Sequence, residues 1–152
     1  MTVSIELQME QMGQRAKKAA RVLSAAAPAA KTQALRALAA LLIERQPDIL
    51  KANALDVDAA KAANMDAPRL TPRIMADMAD ACLHVADMAD EVGVIEQQWQ
   101  RPNGLMIGKM RIPLGVIAMI FESRPNVTID AAILCLKAGD AVILRGGSEA
   151  IH

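Results

Sequence analysis

Leu114-Gly-Val-Ile-Ala-Met-Ile-Phe-Glu-Ser-Arg-Pro-Asn126 is an apolar run of strand length that breaks abruptly into five loop residues carrying charge and amides. It is too short for a membrane helix, which takes about 20 apolar residues. Val and Ile dominate it, and Gly115 and Pro125 stand near its two ends, as in a buried strand of a parallel sheet covered on both faces. Beyond it, Thr128 can cap a helix whose apolar positions Ile129, Ala132, Ile133 and Leu136 share one face, and Gly139 sits where that helix would stop. Residues 141–144 then read as a second short strand. Strand, helix and strand within about 30 residues make a βαβ unit, so the two strands run parallel and their carboxyl ends share one edge. The loops at that edge are residues 122–126 and 145–149. Open α/β sheets bind ligands there, so these loops are the first candidates for function.

The same residues carry a resemblance. Arg111-Ile-Pro-Leu-Gly-Val-Ile-Ala-Met-Ile-Phe-Glu-Ser-Arg-Pro-Asn-Val-Thr-Ile-Asp-Ala-Ala, with Ala141-Val-Ile-Leu-Arg-Gly-Gly-Ser-Glu-Ala after it, resembles the γ-glutamyl phosphate reductases (glutamate-5-semialdehyde dehydrogenases) of the aldehyde dehydrogenase superfamily. Met9-Glu-Gln-Met-Gly near the start resembles that family's amino terminus. The fold implied is α/β, with N-terminal helices packed on the start of a parallel Rossmann-like sheet of the aldehyde dehydrogenase type. Family members run to several hundred residues, so residues 1–152 are expected to be the N-terminal part of the NADP-binding domain: helical over 1–93, a hairpin or strand region at about 100–113, and the βαβ unit at 114–145. The catalytic domain is expected to lie outside this chain.

Composition agrees with an enzyme of this kind. The 152 residues suit one domain, 53 % are hydrophobic and only 1 % aromatic, which favours helices over a stacking surface for nucleic acid. Seventeen basic residues balance seventeen acidic ones, so no overall field draws the chain to nucleic acid or an anionic membrane, and anion recognition must be local. No apolar segment behind a basic start marks a secretory leader, and two cysteines on apolar helix faces make no disulfide framework; a reducing, cytoplasmic setting is expected.

Before the quoted stretch the chain reads as helices. Ile5, Met9, Met12, Ala16, Ala19 and Leu23 form one stripe of a helix ended by Pro28. A second helix over 29–45 turns Leu35, Leu38 and Leu42 inward and ends by Pro47, and a third spans 49–63. Thr71-Pro72 gives a cap and a first-turn proline to a fourth, whose face carries Ile74, Met78, Cys82, Val85 and Met88 up to Gly93. Pro102-Asn-Gly is a turn signal, and Lys109-Met-Arg-Ile alternates polar and apolar residues, so a strand or hairpin lies there. The helices are expected to pack around the βαβ unit rather than stand as a separate domain. Two parallel strands are too few to cover them, so further strands must come from elsewhere. Ser148 and Glu149 look like the first turn of another helix, which suggests a longer polypeptide.

Two constellations carry chemistry. In Arg145-Gly146-Gly147-Ser148, two glycines after a strand let backbone N–H groups approach a phosphate, and the arginine adds a planar fork suited to one. A turn with a helix cap is the plainer alternative, since a Gly-Gly pair is a weak signal beside a full dinucleotide fingerprint. In Glu122-Ser123-Arg124-Pro-Asn126, Arg124 can receive a phosphate or carboxylate, and Asn126 can face an oxyanion. Against this stands a surface pair of Glu122 with Arg124 and a simple helix start. Cys82 and Cys135 are in phase with apolar neighbours and read as core, not nucleophiles. The ten methionines also read as core, and His84 reads as a helix residue, with no second ligand at metal spacing.

The resemblance adds the roles. It implies NADPH-dependent reduction of L-glutamyl 5-phosphate to glutamate 5-semialdehyde and phosphate in proline biosynthesis, through a thioester on a cysteine expected later in the polypeptide. The superfamily typically ends this strand with a Lys on the adenosine ribose; Arg145 at that position is compatible with the 2′-phosphate of NADP. Arg145, Gly146, Gly147, Ser148, Glu122 and Ser123 would face the cofactor, and Arg124 and Asn126 the substrate. Superfamily members often supply an oxyanion amide from this region, and its match is open between Ser123 and Asn126. No metal is implied. The hairpin at 103–112 leaves unpaired edges that could join a second copy in a homo-oligomer, though the sequence does not fix the oligomeric state, and a functional contact with glutamate 5-kinase could follow from the shared substrate. Two readings of other classes remain: a non-catalytic nucleotide- or phosphate-binding module, and a helical interaction module.

Overall fold

A computed structural model describes residues 4–65, 69–122, 124–147 and 151. Helix α1 (Ile5–Ser24) starts at Ser4, whose Oγ accepts the Leu7 N–H at 3.2 Å. Helices α2 (Pro28–Glu44) and α3 (Gln46–Ala62) both carry proline in their first turn, where its missing N–H costs nothing. Pro28 and Pro47 therefore open helices, and α3 begins three residues before the expected start. In α4 (Pro72–Asp87) the cap is the predicted one: Thr71 Oγ1 accepts the Ile74 N–H at 3.2 Å. Met88 lies just past the end of α4 and is exposed, so the apolar face ends at Val85 and Ala86.

The turn signal Pro102-Asn-Gly closes an antiparallel hairpin of β1 (Ile95–Gln100) and β2 (Met106–Met110), which starts earlier in the chain than expected. Arg111 ties its base together, with Nη1 at 3.0 Å from Glu91 and Nε at 2.6 Å from Glu96. The βαβ unit then consists of β3 (Val116–Ile120), α5 (Pro125–Ala138) and β4 (Ala141–Arg145), with β3 and β4 parallel. Gly139 ends α5 in the left-handed region (φ 80°), as the sequence indicates.

One core joins the helices to this unit. Leu35, Ala39 and Leu42 of α2, Met75, Met78, Ala79, Cys82, Val85 and Ala86 of α4, and Ile133 of α5 form a single buried cluster. Burying a side chain such as Leu35, Met75 or Ile133 is worth roughly 1.5–3 kcal/mol, so this cluster is what holds α5, and with it the strands, against the bundle.

Three sequence expectations fail here. The strand β3 is not covered on both faces: Val116, Ala118 and Ile120 are exposed while Ile117 and Met119 are half-buried. The reason is that α1 and α5 lie mainly against β4, leaving β3 at the margin of a two-stranded sheet. The α1 stripe is only partly used. Ile5 and Met9 are exposed, Met12, Ala16 and Leu23 are half-buried, and Ala20 is the buried residue of that helix. The methionines divide likewise, Met75 and Met78 buried but Met9, Met65, Met88, Met106 and Met110 exposed, because periodicity shows a face without showing what covers it.

Candidate functional site at the carboxyl edge of the parallel pair

The register of the parallel pair runs from Val116 opposite Ala141 to Ile120 opposite Arg145. The ladder continues one step further, the Phe121 N–H donating to the Arg145 carbonyl at 3.1 Å. Residues 121 and 146 therefore leave the sheet at the same level, and the two loops singled out in the sequence begin side by side. Arg145 and Arg124 are both exposed here, as is Glu122.

The first loop is shorter than expected. The helix α5 starts at Pro125, with Arg124 in the capping position and no side-chain cap; Thr128 lies inside the helix and is not its cap. Asn126 thus belongs to the first turn, where its Nδ2 donates to Asp130 Oδ2 at 3.1 Å. The Arg124 N–H turns back to the Glu122 carbonyl at 2.6 Å. Among the described residues, no ion pair joins the Glu122 and Arg124 side chains, so the plain surface-pair reading finds no contact. Ser123 and Ser148 lie outside the described residues.

Gly146 bears on what the second loop can take. Its φ is not in the left-handed region, and a Cβ built there would meet only Phe121 Cζ at 3.8 Å and Cε2 at 3.9 Å, an ordinary contact. Neither backbone conformation nor internal packing demands glycine at this position. What glycine does provide is an uncluttered backbone beside an exposed guanidinium, which suits close approach by a phosphate. The residues present fit a nucleotide phosphate.

The cysteines are not part of this edge. Cys82 is fully buried in α4 and Cys135 is buried in α5. Burial, with the Asp130 charge added, pushes the Cys82 thiol up, and burial with Asp140 does the same to Cys135. Both stay protonated and neither is poised as a nucleophile. His84 is exposed on α4. An open groove of about 940 Å³ does exist, but at the opposite end of β3, lined by Lys17 and Arg21 of α1 and by Val92, Ile112, Gly115 and Val116. It is mostly apolar and lies away from the strand ends where such sheets take ligands, so topology, not concavity, decides the candidate.

Sequence reasoning missed a buried polar junction behind the site. Lys31 Nζ lies 2.6 Å from Asp90 Oδ2 and donates to the Lys137 carbonyl at 3.2 Å, while Lys137 Nζ donates to the Ala86 carbonyl at 3.0 Å. Two ammonium groups thus sit on the negative ends of α4 and α5. Burial alone would raise the Asp90 carboxyl, but Lys31, the Val92 N–H and Lys137 overcome it and hold Asp90 below its ordinary value. A lysine in phase with a helix's inward face was the available signal. A second missed lock is Asp140, buried, whose Oδ1 accepts the Gly115 N–H at 2.6 Å and fixes where β3 begins against β4.

No family model matches the chain. It is 67 % identical over 155 aligned positions to the γ-glutamyl phosphate reductase of Nitratidesulfovibrio vulgaris (strain DP4), covering 99 % of this chain and 37 % of that protein. With that of Caulobacter sp. (strain K31) it shares 50 % identity, again over 99 % of this chain and 37 % of the relative. Among solved structures, the γ-glutamyl phosphate reductase of Thermotoga maritima superposes with a TM-score of 0.86 at 37 % identity, over 90 % of this chain and 34 % of that one. The Saccharomyces cerevisiae protein of the same name gives 0.79 at 27 % identity, over 92 % and 37 %. The chain spans little more than a third of the length of these relatives.

Proposed function

We propose, from the premise that this chain is a γ-glutamyl phosphate reductase sequence over the part of those proteins that it spans, that it serves the NADPH-dependent reduction of L-glutamyl 5-phosphate to glutamate 5-semialdehyde and phosphate, a step of proline biosynthesis. The observation that carries this reading is the parallel register that brings residues 121, 122, 124–126 and 145–147 to one edge, in a sequence that matches reductases over 99 % of its length. At that edge Arg145 takes the 2′-phosphate of the nucleotide, the bare backbone at Gly146 and Gly147 lets the adenosine end come close, and Glu122 faces the cofactor. Ser123 and Ser148 join this set as assignments from the resemblance. Arg124 meets the phosphate or α-carboxylate of the substrate, and Asn126 lies in the first turn of α5 with its amide held by Asp130.

The bound nicotinamide supplies the hydride. The residues described here bind and orient; a thiolate from elsewhere in the polypeptide attacks the acyl phosphate, because burial keeps Cys82 and Cys135 protonated. This reading makes residues 1–152 the start of the NADP-binding domain of a cytoplasmic enzyme whose substrate comes from glutamate 5-kinase.

The test compares cofactors in the purified reductase. Arg145→Glu places a negative charge against the 2′-phosphate but not against the bare ribose of NADH. The KM for NADPH should rise at least tenfold more than that for NADH. Equal losses for both cofactors remove the 2′-phosphate role of Arg145.

A further inference from the structure

Asp130 is a residue of α5 whose place the stability of the helix does not explain. It stands in the second turn, past the first-turn N–H groups and the partial positive charge that favour acids at a helix start. It is half-buried, and its charge adds to the burial that pushes the Cys82 thiol up, which puts the carboxylate near the seam where α5 packs on α4. A carboxylate in such a place needs a cation or hydrogen bonds to offset its lost hydration. Among the described residues its side chain makes no ion pair, and its one hydrogen-bond donor is the Asn126 amide, with Nδ2 at 3.1 Å from Oδ2. Asn126 itself is exposed, in the first turn of α5 and close behind the exposed Arg124.

We propose that Asp130 is a positioning residue for Asn126: it holds the amide nitrogen toward the helix, so that the carbonyl oxygen and the one remaining N–H are what the substrate meets. The inference deepens the reading of Asn126 as a residue facing the substrate and rests on it. An ionised carboxylate accepts and cannot donate, so it admits only one of the two ways in which an asparagine amide can turn. The bond is charge-assisted, and its acceptor lies four residues further along a helix packed on α4, where the two side chains are neighbours. In an ordinary surface pair at this spacing both side chains are solvated and neither is fixed. Here an exposed donor is tied to a half-buried acceptor, which is the arrangement that orients a group before a ligand arrives.

The experiment is a double-mutant cycle in the full-length reductase with Asp130→Ala, Asn126→Ala and the pair. Rates are read in the reverse direction, from glutamate 5-semialdehyde, phosphate and NADP, which avoids the labile acyl phosphate. Each single variant should lower kcat/KM for the semialdehyde about tenfold and leave the KM for NADP within about twofold. The pair should be no worse than Asn126→Ala alone, because Asp130 acts only through that amide. Losses that multiply in the pair overturn the positioning role, as does an Asp130→Ala enzyme that turns over like wild type while Asn126→Ala is impaired. An Asp130→Ala enzyme in which the KM values for the semialdehyde and for NADP rise together marks a distorted α5 and refutes it too. If Asn126→Ala changes nothing, the fault lies in the substrate reading of Asn126, and the proposal falls with that reading.

Discussion

Asp90→Asn removes one charge from the buried junction and almost no volume. In the native protein Lys31 is 2 % exposed and its ammonium lies 2.6 Å from Asp90 Oδ2, with the second ammonium of Lys137 close by on the Ala86 carbonyl. The asparagine keeps an oxygen for the Val92 N–H, which Asp90 Oδ1 now accepts at 3.0 Å, so the substitution isolates the charge. Leaving one partner of a buried pair uncompensated costs about 3–5 kcal/mol. For a domain of this size each kcal/mol moves Tm by about 2–4 °C, so a fall of roughly 6–20 °C is expected near neutral pH. The pH dependence has a definite sign. The folded Asp90 carboxyl lies below its unfolded value, so its contribution is complete above the unfolded value of about 3.9 and is lost as pH falls toward the folded one. The gap in Tm between the wild type and Asp90→Asn should therefore be constant from pH 7 to about pH 5 and narrow below about pH 4. Thermal unfolding followed by circular dichroism across this range checks both parts. A Tm within 2 °C of wild type at pH 7 would refute the reasoning, and so would a gap that widens on acidification. Replacing both partners with apolar residues, Lys31→Met with Asp90→Leu, should cost less than Asp90→Asn alone, because no buried charge is stranded.

Gly139→Ala should destabilise by roughly 2 kcal/mol in denaturant titration, since φ is 80° and the new methyl would meet Pro113 Cγ at 3.0 Å; a loss under 0.5 kcal/mol would mean that the α5 to β4 turn relaxes freely. Asp140→Ala strips the Gly115 N–H of its acceptor, and a cost of about 1–3 kcal/mol with faster amide exchange at Gly115 is expected. Cys82→Ala and Cys135→Ala, each tested singly, should leave kcat of the reductase within about threefold; loss of turnover in either folded variant would reinstate that thiol as a nucleophile.

The βαβ unit was legible because its signals are local and redundant: an apolar run, a helix of one-sided spacing, a glycine at 139 where the helix stops, and a second apolar run at 141–144. The hairpin was legible from Pro102-Asn-Gly, but its first strand was not. Ile95-Glu-Gln-Gln-Trp-Gln has exposed residues on both faces, so no period of two marks it. Thr128 misled for a chemical reason. Threonine is a good cap, but proline at 125 is a better first-turn residue, and the helix takes the earlier start. The burial of β3 was over-read because a continuous apolar run shows that both faces can be covered, not that these residues cover them. Candidate residues at the edge followed from topology. The polar groups at the other end, Lys31, Asp90, Lys137 and Asp140, did not, since each depends on a partner at least 25 positions away.

The two ends of the parallel pair are built differently, and the difference matters for function. At the amino end Asp140 holds Gly115, Gly139 packs against Pro113, and Lys31, Asp90 and Lys137 bind the ends of α4 and α5 to the segment that leads into the hairpin. Each contact is at least partly buried, and is charge-assisted or sterically tight. At the carboxyl end the polar side chains of Glu122, Arg124 and Arg145 are exposed, and among the described residues the hydrogen bonds that shape this edge are backbone ones, apart from that of Asn126. A site that must seat a phosphate needs free donors on a scaffold that does not yield, and concentrating the satisfied charges at the far end leaves the near end's arginines available. By this argument substitutions at the amino end should register in stability with little change in cofactor preference, and substitutions at Arg145 should do the reverse.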